Sequence, residues 1–175
     1  MRRHRLQIEL VKQRDGCVVL RGERDDGSAF WQKQEAKYAA FFPLHDLTHY
    51  AVETELGVAD AFFGLIASGW SIEDTNGKSA RGPLPLNALF VEAVVGTLDA
   101  ERASPERWTA VEFNESLATL FARTGRHVPR QLTDDELTRI RRRRAELFEA
   151  WRTLDLGSAL ALHFPPHAVS GALSR

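Results

Sequence analysis

The sequence predicts an α+β fold: an N-terminal three-stranded antiparallel β-meander packed on a bundle of about five helices. Three observations lead there. Residues 1–34 alternate apolar and polar positions between tight-turn signals. From residue 44 onward the apolar spacing changes to the three-and-four rhythm of helices. Two Thr-x-x-Glu signatures then open later helices.

The elements follow in order. Leu6, Ile8 and Leu10 alternate with polar neighbours, as one half-buried strand does. Asp15-Gly16 is a hairpin signal, and Cys17 to Glu23 forms the second strand through Val18, Val19 and Leu20. Asp25-Asp26-Gly27 turns the chain again, and Ser28 to Gln32, with Phe30 and Trp31, makes the third strand. Such a sheet buries one face and needs helices to cover it. Pro43 closes a short aromatic stretch, a helix runs from Leu44 to Leu56, and Gly57 suits its left-handed cap. A second helix spans about Val58 to Ser68 and stops at Gly69. Trp70 to Pro85 is a loop, broken by Asn76-Gly77 and Gly82-Pro83. Leu86 to about Ala103 is helical, with Leu86, Leu89, Phe90, Ala93, Val94 and Leu98 on one broad face. Thr109 and Glu112 open a helix that ends near Gly125. Thr133 and Glu136 open a long one to about Leu154, with Leu137, Ile140, Leu147 and Trp151 facing inward. After Gly157, the alternation of Leu160, Leu162 and Phe164 predicts a fourth strand over 158–164, closing on the meander. Residues 165–175 read as a loose tail, and 1–175 as one domain: meander 1–34, helical part 44–154.

Composition narrows the function classes. The 23 basic and 24 acidic side chains leave a net charge of −1, which argues against a global footprint for nucleic acid. A single cysteine, Cys17, makes neither an intrachain disulfide nor a cysteine-based zinc site, and reads as a small strand residue. No apolar stretch follows the basic start Met1-Arg2-Arg3-His4-Arg5, so no signal peptide is expected. No run approaches the roughly 20 apolar residues of a membrane span. A cytoplasmic protein acting on a small-molecule substrate is the default expectation, with a homo-oligomer left open.

The segment Leu44-His45-Asp46-Leu47-Thr48-His49-Tyr50-Ala51-Val52-Glu53 carries the chemistry. Residues four apart on a helix lie one turn above each other, so His45, His49 and Glu53 form a continuous stripe. Imidazole nitrogens and a carboxylate at this spacing suit a divalent cation, zinc foremost, or iron or manganese. The logic is that of the helical H-E-x-x-H metal motif with aspartate in second place. Asp46, about a hundred degrees around the helix from His45, is expected to assist proton transfer rather than coordinate. The apolar residues of this helix lie on several sides, which predicts burial, and buried charge needs a partner or a metal. A further ligand must come from elsewhere. Asp60, at the start of the next helix, could fold back across Gly57. Glu92, alone in an apolar helix, either has a partner there or lies on its wet side. A hydrogen-bonded core pair without metal, or a non-metal catalytic cluster, would fit the same stripe.

The run His45-Asp46-x-x-His49 followed by a downstream acid resembles the Coq4 family of ubiquinone-biosynthesis proteins over about 20 residues. The resemblance implies that His45, Asp46 and His49 are metal-site residues. It places the family's glutamate at Ala61, with Asp60 one position earlier as the substitute. That family is mostly helical, and the N-terminal meander departs from its pattern.

Other signals are weaker. The loop Asp74 to Pro83 carries glycines with Lys78 and Arg81, which could orient an anionic substrate if it folded over the histidines, but it lacks phosphate-loop spacing and reads first as a solvated connector. Arg139 and Arg141 to Arg144 spread around the long helix, with Glu136, Glu146 and Glu149 in pairing reach, and read as a solvated surface. Trp31, Trp70, Trp108 and Trp151 read as core anchors, and His127, His163 and His167 as incidental. The leading expectation is a metal-dependent enzyme, a hydrolase in the first instance, with ligands His45 and His49 completed by Glu53 or Asp60. The alternative is a non-enzymatic interaction or scaffold protein, in which the polar stripe is structural and the basic helix meets a partner.

Overall fold

A computed structural model describes residues 4–78 and 81–165. The loop residues Ser79 and Ala80, and 166–175 of the expected tail, lie outside the described residues. Four strands, β1 (Leu6–Lys12), β2 (Val18–Arg24), β3 (Ala29–Gln34) and β4 (Ala159–Phe164), form one antiparallel sheet in the order β3-β2-β1-β4. The expected fourth strand is thus present, and it pairs with β1 rather than extending the meander at β3.

The alternation chooses the inner face. Leu10 stands opposite Leu20 on one side and Leu160 on the other, and Ile8 opposite Gly22 and Leu162. Leu6, Ile8, Leu10, Val18, Leu20, Phe30 and Leu162 are buried. Gly22 has no room for a side chain, since a Cβ would lie 2.8 Å or less from the Phe30 ring. The missing methyl lets Phe30 lie across the sheet. Because Phe30 takes the inner face, its neighbour Trp31 points outward and is 70% exposed, so it is not the core anchor the composition suggested. Trp151 does sit in the core. Cys17 lies in the β1–β2 turn, its N–H donating to Asp15 Oδ1 at 2.9 Å.

Five α-helices are described: α1 (Phe42–Leu56), α2 (Phe62–Ala67), α3 (Leu86–Arg102), α4 (Ala110–Phe121) and α5 (Asp134–Thr153). Both expected capping boxes form, Thr109 with Glu112 and Thr133 with Glu136. The apolar side chains gather in two clusters. One joins the inner sheet face to Leu47, Tyr50, Phe63, Ile66, Leu147 and Trp151. The other joins Val52 to Val91, Val94 and Leu98, to Phe113 and Leu117, and to Leu137 and Ile140. Since α1 contributes to both, it is wrapped on nearly every side, as its scattered apolar residues predict. Among the described residues no helix is long and apolar enough to cross a membrane.

The basic run of α5 departs from a solvated surface. Arg141 pairs with the buried Glu101 of α3 and donates to the Trp108 carbonyl at 2.9 Å. Arg144 donates to the Leu98 carbonyl at 2.9 Å, and Arg139 pairs with Glu55 of α1 at 3.4 Å. These arginines cross-brace helices, while Glu136 and Glu149 pair with Arg130 and Arg152 instead. Arg143 and Glu146 do meet, at 3.3 Å.

Candidate metal centre

The site is built on α1, which starts at Phe42, two residues before the expected Leu44, with Pro43 in its first turn, where a missing N–H leaves no bond unmade. Gly57, at φ 66°, ends the helix in the left-handed conformation. Between them the four-residue spacing sets His45 and His49 one turn apart, their ring centroids 4.9 Å apart and nearly perpendicular. The helix packs against α3 on this face, and α3 brings Glu92 and Asp99 to the two rings.

Each imidazole faces a carboxylate at Nδ1, that of His45 within hydrogen-bond reach and that of His49 beyond it. His45 Nδ1 lies 3.2 Å from Asp99 Oδ2, and both side chains are largely buried. His49 Nδ1 faces Glu53 Oε1 at 3.8 Å, beyond hydrogen-bond length, and has no hydrogen-bond partner among the described residues. His49 Nε2 meets Glu92 Oε2 at 3.1 Å. One ligand atom each from His45, His49 and Glu92 fall within 4.8 Å of one another, a group that could hold a metal ion. Ligands bonded at about 2.1 Å in a tetrahedron sit roughly 3.4 Å apart, so small side-chain movements would close this group on one cation. A carboxylate bonded behind an imidazole, as Asp99 stands behind His45, fixes its tautomer, raises its basicity and is the usual support of metal-bound histidine.

The electrostatics are those of a dry, charged cleft. Burial alone would depress the His49 pKa, but the bonded Glu92 and the nearby charge of Glu53 outweigh it and push the imidazole to about 10. Burial pushes the Glu53 carboxyl up, against His49 and two backbone donors. The His49 contact holds Glu92 below the ordinary carboxylate range, and its side chain is 61% exposed, so the cluster opens to solvent on that side. Burial also raises Asp46, whose Oδ2 accepts from Gln34 Nε2 at 3.1 Å.

The expected site residues separate into groups. His45 and His49 converge, and the carboxylate grouped with them is Glu92. Glu53 turns away to the next helix: its two oxygens accept from the backbone N–H groups of Phe63 and Gly64, each at 3.1 Å. This explains why α2 starts at Phe62, not near Val58, for Glu53 serves its first turn from outside. Asp60 accordingly lies before that helix, and its carboxylate accepts from Asn87 Nδ2 at 2.9 and 3.2 Å. Arg81 pairs with Asp74 at 3.2 Å and lies over the Trp70 ring, within its own loop. The Lys78 N–H donates to Asn76 Oδ1 at 2.8 Å. Asp99 is not among the residues the sequence singles out. Its one legible signal is the seven-residue step from Glu92, two helical turns on the same face of α3.

Against family models, curated proteins and solved structures, the chain gives no match in any of the three.

Proposed function

We propose that this protein is a metal-dependent hydrolase whose divalent cation, zinc in the first instance, is held by His45, His49 and Glu92. The observation that carries the reading is the convergence of two imidazoles from one helix with a carboxylate from another. Three protein ligands leave a coordination position for water or substrate, the composition of hydrolytic zinc sites. A cation held there by His45, His49 and Glu92 would supply an acidified water and a Lewis acid for a carbonyl. Asp99 would orient the His45 ring from behind, and Glu53 would act on His49 through its charge alone, at 3.8 Å. Glu92, the most exposed of the three, marks the side from which substrate enters. Asp46 is assigned to proton transfer, because burial raises its carboxyl above its ordinary value and it feels the charges of His45, His49 and Glu92.

The test is metal content by mass spectrometry on protein purified without added metal, then after equilibration with zinc, manganese or iron(II). About one equivalent is expected, lost in His45→Ala, His49→Ala and Glu92→Ala while the fold persists. Less than about a tenth of an equivalent under every condition would end the reading.

A further inference from the structure

The stripe that carries the two histidines begins with an aromatic ring. Phe41, His45 and His49 follow at steps of four residues, so they line one edge of α1. The Phe41 ring stacks on His45, with centroids 5.4 Å apart and planes 24° from parallel. From α2, Phe62 leans on His49 at 5.2 Å. Phe42 meets Phe41 at 5.4 Å, and Tyr38 meets Phe42 at 5.5 Å. Tyr38, Phe41 and Phe42 are 46%, 45% and 36% exposed. Three adjoining exposed aromatics form an apolar ledge against water, and such a patch marks a binding surface.

The charges around the histidines constrain what that surface accepts. Asp46, Glu53, Glu92 and Asp99 all surround the two rings. Glu92 and Asp99 by themselves match the charge of a divalent cation. Arg102 reaches this group at 4.0 Å from Asp99, and Lys37, over the Tyr38 ring, is paired with Glu35 at 2.9 Å. An anionic substrate would meet no surplus of positive charge here.

Resting on the metal reading above, we propose that the site takes an uncharged ester or amide whose acyl part carries an aromatic or similarly flat apolar group. The acyl carbon would sit at the His45–His49–Glu92 cluster and the apolar group on the Phe41–Phe42–Tyr38 ledge. In the reaction water divides across the acyl bond: its hydroxyl joins the carbonyl carbon, the C–O or C–N bond breaks, and the proton goes to the departing oxygen or nitrogen.

Hydroxamates test this without requiring turnover, since they chelate a cation as a hydrated carbonyl would. The zinc-loaded full chain is titrated calorimetrically with acetohydroxamate, phenylacetohydroxamate and the anionic succinyl monohydroxamate. The phenylacetyl compound is expected to bind at least tenfold more tightly than the acetyl one, and the succinyl compound no better than the acetyl. Phe42→Ala, which leaves His45 untouched, and Phe41→Ala should each shrink the phenylacetyl advantage by threefold or more. Both rings lie outside the core, so both variants should fold. If zinc binds but the acetyl and phenylacetyl compounds bind equally, or the succinyl compound binds best, this proposal falls and the metal reading stands. If zinc itself does not bind, both fall.

Discussion

Glu53 and His49 lie one turn apart on α1, yet Glu53 gives both carboxylate oxygens to the backbone of α2, accepting from Phe63 and Gly64 at 3.1 Å, and meets His49 only at 3.8 Å. The residue therefore ties the histidine helix to its neighbour. Replacing it with alanine strands two buried backbone donors, the N–H groups of Phe63 and Gly64. Each stranded donor costs about 1–3 kcal/mol. We expect Glu53→Ala to lose roughly 3 kcal/mol or more in urea unfolding, and Glu53→Gln to lose less, because an amide oxygen still accepts one bond. Equal losses would show that the backbone bonds carry little of the effect.

The pH dependence of the metal-free protein has a definite sign. His49 is raised from its ordinary 6.5 to about 10 in the folded state. A group that binds its proton more tightly when folded stabilises the fold fully below its unfolded value, and that contribution fades as pH rises through the folded value. Asp46 and Glu53, also raised, act in the same direction at lower pH. The melting temperature in chelator should thus fall as pH climbs from about 6.5 toward 10, and the fall should flatten in His49→Gln. Zinc reverses the trend, since coordination needs the neutral imidazole: stabilisation by zinc should grow from about pH 6.5 to 8.5. A flat melting curve in chelator over that window would contradict the raised imidazole.

Much of this fold could be read from local pattern. The alternation of Leu6, Ile8 and Leu10 and of Leu160, Leu162 and Phe164 specified strands, and the Thr-x-x-Glu boxes fixed two helix starts, because these signals act within a few residues. The histidine stripe was legible for the same reason: four-residue spacing is a property of one helix. What stayed hidden is tertiary. Nothing near Glu53 in sequence says that Phe63 and Gly64 will present their N–H groups to it, and only the packing of α3 on α1 selects Glu92 as the neighbour of His49. The arginine run misled for a like reason, since its partners Glu101 and Leu98 lie on another helix.

Asp99 holds His45 from behind, at 3.2 Å, without joining the three-residue cluster. Its removal should therefore weaken metal binding without abolishing it. Loss of such a supporting carboxylate lowers affinity about 10–100-fold. We expect Asp99→Asn to raise the zinc dissociation constant by that factor in chelator competition, with the circular dichroism spectrum unchanged. His45→Ala should do far more. If Asp99→Asn equals His45→Ala, Asp99 is itself a ligand.

The pair Arg141–Glu101 links α5 to α3 with both side chains largely out of water. Arg141 also donates to the Trp108 carbonyl, and Glu101 Oε1 accepts from the Trp108 N–H at 3.1 Å. The two charges thus serve the turn before α4 as well as each other. Breaking a buried pair from one side leaves the other charge unpaired, at a cost of about 3–5 kcal/mol. Glu101→Gln should strand the guanidinium, and Arg141→Met should strand the carboxylate, each by roughly that amount. The double variant removes both charges together, so it should be less destabilised than the two single losses added, leaving a coupling of about 2 kcal/mol. Additive losses in urea unfolding would instead mean that each residue works through the Trp108 backbone alone. Zinc binding should be untouched in all three variants, because the pair lies on the opposite side of α3 from the histidines: Glu101 follows Glu92 by nine residues, half a turn out of phase with it.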